Sequence, residues 1–526
     1  MKKRFVILLA VLLLAGCTQV SPEQTTAQTT ESITTPTETT LPEPTKYQFP
    51  EGAEIKIRTV ADVIFTYCWQ DKNELFYACL DEVTGLNINV WLYDPDVCLY
   101  GSPDPECFID KIKSIEKANH GGAYGSYLNL WEYRDMMPNL FAFLDSPEYA
   151  HYREIYMPDE ETLYMAPIFT NGSTEHSAWL YREDIFRQLE LQIPTDWDSF
   201  YKVLQALKAA YPESYPFTMS GLQDSTIPSW TDFAQQFGVD YDPKGFARGA
   251  DGTFYDSRVT EEMREMLKKL RQLTEEGLMA PDWLNNDDDM CGQALVDGTS
   301  FITHTKSTRL QIIERKGQKN DGAFSLGWFN NIPLVESELP YTTRMAPVEI
   351  SGWGIVSGYC PDIELAVRFL DWLYSEEGIQ TTFWGIEGVT YGVREDGSKY
   401  YLESFKSDLK SRQPFIDEEL SGAVDFNAIL EIYTPKNKEL ICATVEAAKS
   451  GGFHPVSNVT FGGEKALLVD TYLQPYLDVS TEYIAKFLAG DLDINSDAHW
   501  QQMVAAIEAS KQAELLEVFN AVGNAK

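Results

Sequence analysis

The chain predicts an α/β fold, and three observations carry that expectation. Short β-rich runs alternate with amphipathic helical stretches along the body. No internal repeat stands out. The body from Tyr47 to Lys526 is 480 residues, long enough for two large lobes with substantial cores.

The elements follow in order. Ile55 to Val60 reads as an opening strand, Leu75 to Thr84 as a helix ended by Gly85, and Leu86 to Leu92 as the next strand. Thr195 with Asp198 three residues later predicts a capping-box start. The helix it opens carries Phe200, Val203, Leu204 and Leu207 on one face. A second helix, Thr260 to Glu276, repeats the spacing with Met263, Met266, Leu267, Leu270 and Leu273, and Gly277 ends it. A third, Pro361 to Glu377, is expected to bury Ala366, Phe369, Leu370 and Leu373.

The amino terminus fixes where the body works. Lys2, Lys3 and Arg4 precede an apolar run of ten, Phe5 to Leu14, too short for the roughly 20 residues that span a bilayer. It reads as a secretory signal. Leu14-Ala15-Gly16-Cys17 resembles the lipobox of bacterial lipoproteins, which implies that Cys17 is lipidated, with palmitate as an acyl group, and becomes the first residue. Thr18 to Lys46 is rich in Thr, Glu, Gln, Ser and Pro and buries too little apolar surface to offset its ordering entropy. It reads as a tether lifting the body off the membrane.

Removing the signal takes Lys2, Lys3 and Arg4 from 42 basic residues and leaves 39 against 80 acidic ones, a net charge of −41. Such a surface argues against nucleic acid or an anionic bilayer as partner, because both are repelled. Cys68, Cys79, Cys98, Cys107, Cys291, Cys360 and Cys442 remain after Cys17, without the spacing of a zinc set or a redox pair. Cys98 and Cys107 are the candidate pair for a bridge, across the loop around Gly101-Ser102-Pro103. The chain holds no glycine-rich phosphate loop, His-Glu-x-x-His motif or Gly-x-Ser-x-Gly elbow. No cofactor is expected.

Several stretches, in order, resemble one family. They are Glu82-Val83-Thr84-Gly85-Leu86, Trp179-Leu180-Tyr181-Arg182-Glu183-Asp184-Ile185-Phe186 and Pro194-Thr195-Asp196-Trp197-Asp198-Ser199-Phe200. Tyr374-Ser375-Glu376-Glu377-Gly378, Gly385-Ile386-Glu387-Gly388-Val389-Thr390-Tyr391 and Phe487-Leu488-Ala489-Gly490-Asp491 continue the series. Together they resemble the bacterial extracellular solute-binding proteins of the sugar-binding class, in the branch of large lipoproteins tied to oligosaccharide import. The resemblance implies a two-lobed, periplasmic-binding-protein-like fold of type II, with a ligand cleft between lobes joined by a hinge. It places the signal at 1–16, the tether at 17–46, a first lobe at 48–172 plus 342–385 and a second at 173–341 plus 386–526. Crossings are expected near Thr170, Tyr341 and Gly385. Many large members carry an Asp/Asn-rich calcium loop after the helix of the Pro-Thr-x-Trp motif. Here that helix runs into Ala209-Ala210-Tyr211-Pro212-Glu213-Ser214-Tyr215-Pro216-Phe217, which lacks alternating carboxylates. The run Asn285-Asn286-Asp287-Asp288-Asp289 reads as a solvated loop, so no metal is expected.

Aromatic residues make 13% of the chain. Sugars present apolar C–H faces and hydroxyl edges, so their clefts combine flat rings with amide, carboxylate or Arg groups. Trp353 sits between two glycines, an arrangement that suits an exposed ring. Trp384 precedes the turn that presents Glu387 and Tyr391. Trp230 lies in a polar, Pro-containing segment, and Tyr67 and Trp69 follow the first strand. Asn129 falls in an early cleft loop of the family, where relatives usually hold an acid. His304 follows a strand that lines the cleft in relatives, and a satisfied structural histidine reads equally well there. Arg182 reads as an ion-pair partner that holds a lobe together. The expected ligand-binding set is therefore Trp69, Asn129, Trp230, His304, Trp353, Trp384, Glu387 and Tyr391.

These expectations add up to a monomeric receptor on the outer face of the bacterial cytoplasmic membrane. It takes up a carbohydrate by hinge closure and delivers it to the permease of an ABC importer. Two other classes compete: a glycoside-acting enzyme, since 80 acidic side chains offer many carboxylate pairs, and a lipid-tethered sensor of a membrane kinase. No motif points to an activated pair, so an enzyme is not expected.

Overall fold

The computed structural model describes residues 49–523 except 61–73, 94–106, 113–114, 175, 222–227, 244, 250, 340–341, 344–350, 409–411, 413–414, 416–419 and 452–463. The expectations placed on the signal, the tether, Tyr67, Trp69 and Cys98 lie outside the described residues.

Thirteen strands are described. β1 (Glu54–Val60), β2 (Asn87–Tyr93), β3 (Ile109–Ile112) and β4 (Ala166–Pro167) come first. β5 (Ser177–Arg182), β6 (Phe217–Met219), the short hairpin of β7 (Ala247–Arg248) with β8 (Phe254–Tyr255), β9 (Ile302–Lys306) and β10 (Leu326–Phe329) follow. β11 (Gly352–Ile355) and the hairpin of β12 (Tyr391–Val393) with β13 (Lys399–Tyr401) complete the set.

Two sheets organise the body. The first runs β2-β1-β3-β11-β4, with β1 parallel to β2 and β3 and with β11 antiparallel to β3 and β4. The second runs β10-β5-β9-β6, with β6 parallel to β9 and β5 antiparallel to both neighbours. Apolar faces explain both. Ile55 and Ile57 of β1 point to one side and are buried, in line with the period of two that a strand imposes. Trp179 of β5 stands beside His304 of β9 on the inner face of the second sheet.

Helices cover the sheets where their spacing predicts. α1 (Glu74–Thr84) buries Phe76, Cys79 and Leu80. α2 (Trp197–Ala210) buries Phe200, Val203, Leu204 and Leu207. Its cap is Asp196 rather than Thr195: the Asp196 carboxylate accepts from Ser199 N at 2.8 Å, and the Ser199 hydroxyl returns the capping-box bond. α3 (Pro228–Gln235) lies against β9 and β5. α4 (Glu261–Glu275) buries all five predicted apolar residues, is capped by Thr260 and stops at Gly277, whose φ of 66° costs glycine little. α5 (Asp288–Asp297) and α6 (Arg309–Asn320) cover the other face of the second sheet.

The predicted helix 361–377 is two helices, α7 (Ile363–Trp372) and α8 (Glu376–Phe383). Ser375 makes the break, because its hydroxyl accepts from Gly378 N at 3.0 Å and caps a new helix. α9 (Phe426–Leu430), α10 (Pro435–Gly451), α11 (Glu464–Ala489), α12 (Asp497–Ala509) and α13 (Gln512–Gly523) close the chain.

Burial separates two main cores. The first joins Ile55, Phe76, Ile109, Tyr152 and Phe169 to Trp353, Phe369, Trp384, Tyr401, Phe415 and Ala428. The second runs from Trp179 to Leu334 and resumes from Val469 to Phe519. Leu440 of α10 packs on the outer face of the second sheet with Leu310 and Ile313. The chain therefore passes between cores after Phe169, between Leu334 and Trp353, and again after Ala428. The last passage is not near Gly385: Tyr391, Tyr401, Phe405, Phe415, Leu420, Ala423 and Ala428 all pack in the first core, where the aromatic ones complete the layer around Phe76 and Trp384.

Candidate functional site

In open α/β sheets ligands bind beyond the carboxyl ends of the parallel strands. Here those ends are Val60, Tyr93 and Ile112 in the first sheet and Met219 and Lys306 in the second. The segments that link the cores leave from the same neighbourhood, and a hydrogen-bond chain ties two of them down. Asp232, buried on α3, accepts from Ser177 N at 2.9 Å and from the Thr343 hydroxyl at 3.1 Å. It thus joins the start of β5 to the second linking segment. Asn331 Nδ2 donates to Ser177 O at 3.3 Å, and its Oδ1 lies 2.9 Å from His304 Nε2. Gln236 Oε1 accepts from Trp179 Nε1 at 2.7 Å and from Ile332 N at 3.1 Å.

The third passage carries an ion triad. Glu431 accepts from Arg394 of the β12–β13 hairpin at 2.9 Å and from Lys438 of α10 at 2.6 Å. Burial opposes its ionisation, but the bonds from Lys438 and Arg394 outweigh that and hold its carboxyl below the usual glutamate range. At the first passage, burial alone pushes His176 down to about 4.

Two groups on α3 remain unsatisfied. Trp230 is buried against Phe233, Trp283 and Tyr241, yet its indole N–H finds no acceptor among the described residues. Both amide atoms of the buried Gln235 are equally without partner among the described residues. Buried polar atoms are nearly always paired, so these are places where a bound hydroxyl or water gains a full hydrogen bond.

The structure distributes the remaining predicted residues differently. Trp353 is 0% exposed in the middle of the first sheet, with its indole N–H donating to Ser421 O at 3.0 Å. Its flanking glycines serve close packing rather than exposure: a Cβ on Gly352 would sit 2.2 Å from Ala166 O, and one on Gly354 would sit 2.6 Å from the Ile112 side chain. Trp384 is buried too, its indole donating to Asp425 at 2.6 Å and its ring 4.9 Å from that of Tyr401. The Tyr391 hydroxyl, beside it, accepts from Gln380 at 2.9 Å. His304 is 0% exposed and edge-on to Trp179, which makes it a core histidine. Asn129 pins a loop: its Oδ1 accepts from Trp131 N and Leu163 N, and its Nδ2 donates to Glu161 O at 3.0 Å. Glu387 alone of the described set is exposed, on a turn whose Gly385 and Gly388 hold φ of 74° and 80°.

Other side chains singled out in the sequence are placed by the fold. Arg182 pairs with Asp184 at 2.6 Å and donates to Leu295 O, so it holds the second lobe together. Cys107 is buried and its thiol donates to Ile109 O, while Cys98, its candidate partner, lies outside the described residues. The acids of the 287–289 run are all engaged within the fold. Asp287 caps α5, Asp288 accepts from the hydroxyls of Ser220 and Thr305, and Asp289 pairs with Arg309. The loop after α2 is held by an ammonium, Lys208 Nζ donating to Ser214 O at 2.7 Å.

Asp232, Gln235, Gln236 and Asn331 were missed by sequence reading. The available signal was the pair Gln235-Gln236 set between Phe233 and Phe237, polar residues at spacings where a helix buries its apolar face.

Comparison with known proteins follows the same outline. Residues 122–396, just over half of the chain, match the family model described as bacterial extracellular solute-binding protein. Comparison with curated proteins gave no significant match. Among solved structures the chain resembles the alginate-binding protein AlgQ2 without calcium ion, at 17% identity and a TM-score of 0.64 over 92% of this chain and 100% of that one. It also resembles an extracellular solute-binding protein from Bifidobacterium longum subsp. infantis, at 16% identity and a TM-score of 0.65 over 90% and 98%. The S. pneumoniae ABC-transporter substrate binding protein FusA in complex with kestose gives 17%, a TM-score of 0.63, and coverage of 90% and 99%. At such identities the likeness speaks for the fold: two α/β lobes joined by a hinge, with a cleft between them.

Proposed function

This chain belongs to the bacterial extracellular solute-binding proteins, and from that premise we propose that it captures an oligosaccharide between its lobes and delivers it to an ABC importer. The observation that carries the reading is the pair of separately cored sheets joined by three chain passages. A solute that touches both lobes stabilises the closed form, because only there are both sets of contacts made. Sugar as the solute is supported by the names of the alginate-binding and kestose-bound neighbours and by the unsatisfied Trp230 and Gln235 beside the hinge. Trp230 is buried and stacked with Phe233 and Trp283, so in this reading it offers its N–H rather than a ring face to a hydroxyl. Trp69 remains the proposed stacking ring and Glu387 an acceptor for hydroxyls.

In this reading Cys17 carries the lipid, and the Thr/Pro-rich tether holds a monomeric body off the outer face of the cytoplasmic membrane. No helix of the described residues is long and apolar enough to cross a membrane. The protein is a receptor rather than an enzyme. A thermal-shift screen of residues 47–526 against mono- and oligosaccharides tests the reading, since solute at 100 times its Kd adds about 2.7 kcal/mol to the folded state. A rise in Tm with one glycan class supports it. Silence across sugars with a rise for peptides would overturn the substrate, and sustained release of product would overturn the receptor.

A further inference from the structure

The first passage between the cores contains Asn171-Gly172, the one Asn-Gly pair in the 526-residue sequence. We propose that Asn171 is a site of spontaneous deamidation built into the hinge, and that its conversion to isoaspartate resets the angle between the lobes. The chemistry needs water and no other reagent. The Gly172 amide nitrogen attacks Asn171 Cγ and ammonia leaves, closing a five-membered succinimide. Water then opens either carbonyl, giving aspartate or, when the main-chain carbonyl is hydrolysed, isoaspartate. Glycine at the second position favours the attack because no side chain hinders its nitrogen.

The surroundings leave the reaction open. Asn171 is exposed, and among the described residues its side-chain amide makes no hydrogen bond. Among the described residues the Gly172 N–H donates to the Thr170 hydroxyl at a long 3.3 Å, and that hydroxyl in turn donates to Gly172 O at 2.6 Å. On either side the chain is held. Phe169 N donates to Gly422 O, and Thr170 N donates to the Tyr152 hydroxyl, which fixes the near end to the first core. Thr174 O accepts from Ser307, and Ser177 N is held by Asp232, which fixes the far end to the second. Asn171 and Gly172 form the short span that follows the first of these anchors.

That span has no slack for a longer main chain. A Cβ on Gly172 would meet the Phe426 ring at 2.8 Å, so the first passage lies directly against α9, the start of the third. Isoaspartate routes the main chain through Cβ and Cγ and inserts one extra carbon, a lengthening of about 1.5 Å. It also adds a negative charge. A change of that size between two anchored points, against a packed ring, moves the anchors. The modification itself is independent of the solute reading; its consequence for closure rests on that reading.

The test ages the mature protein, in mild detergent, at mildly alkaline pH and maps it by mass. Trypsin releases residues 154–182, a peptide with no second Asn and no Gln, so a gain of about one mass unit there reports Asn171 alone. Isoaspartate is confirmed by uptake of methyl groups from an isoaspartyl methyltransferase. The expected result is progressive conversion in the parent and an unchanged peptide in Asn171→Gln. A peptide that stays unmodified in the folded protein, while a synthetic copy converts, would overturn the site. Small-angle scattering then compares fresh, aged and Asn171→Gln protein without ligand. A shifted radius of gyration in the aged parent alone is expected. Full conversion with unaltered scattering would sink the hinge effect, whatever the sugar screen shows.

Discussion

Trp353→Ala asks whether this ring serves the core or the cleft. The indole is 0% exposed on β11, between β3 and β4, with Lys111 Nζ 5.5 Å from the ring centre. Truncating a buried Trp to Ala costs about 3–5 kcal/mol through lost burial and the cavity left behind. The Ser421 carbonyl loses its donor as well, adding about 1–3 kcal/mol if no water replaces it. The two costs overlap, so about 4–6 kcal/mol is expected in total. For a lobe of this size that lowers Tm by roughly 10–20 °C. Trp353→Phe keeps most of the volume and loses the N–H, so it falls between parent and Ala. The assay is differential scanning calorimetry of parent and both variants, with sugar titration of whatever remains folded. A Trp353→Ala protein melting within about 2 °C of the parent while failing to bind sugar would refute the reasoning, since that is how an exposed cleft ring behaves.

Three other outcomes follow from the linking segments. Asp232→Ala removes the acceptor for Ser177 N and for Thr343, and a loss of about 3 kcal/mol in urea unfolding is expected; a change under about 0.5 kcal/mol contradicts the tie. Glu431→Gln breaks a triad whose cations are partly exposed, so screening limits the loss to about 0.5–1 kcal/mol and added salt should erase the difference from the parent. Because its folded pKa is depressed, that contribution is present above the ordinary glutamate range and disappears as pH falls through the depressed value. His176, held near 4 by burial, is neutral in the fold and takes a proton in the unfolded chain below about 6.5. Its stabilisation is full above that pH and is lost as pH falls toward 4, by at most about 3 kcal/mol. His176→Gln should flatten the pH dependence of unfolding in that window, and an unchanged slope would exclude this histidine as its source.

Local order was legible in the chain because its causes are local. The stripe Phe200, Val203, Leu204 and Leu207 predicts a buried helix face through spacing alone, and the five apolar residues of α4, with Thr260 and Gly277 at its ends, do the same. Arg182 could be read as a structural ion pair because its partner is two residues away. The break between α7 and α8 was also within reach, since Ser375 and Gly378 form a cap signal that the continuing apolar pattern masked. The hinge and the fate of the aromatic rings could not be read in this way. Gly-Trp-Gly describes an exposed ring and a close-packed strand equally well, and the choice fell to Ala166, Ile112 and Ser421, residues 68 to 241 positions away. Asp232 becomes a tie between linking segments only when Ser177 and Thr343, 55 and 111 positions distant, arrive beside it. Sequence alone determined which stretches form helices and strands and which faces they bury, since those depend on neighbours a turn apart. The tertiary structure decided which buried faces meet and which polar groups remain unpaired, because burial and hydrogen bonding are properties of pairs that only the folded chain brings together.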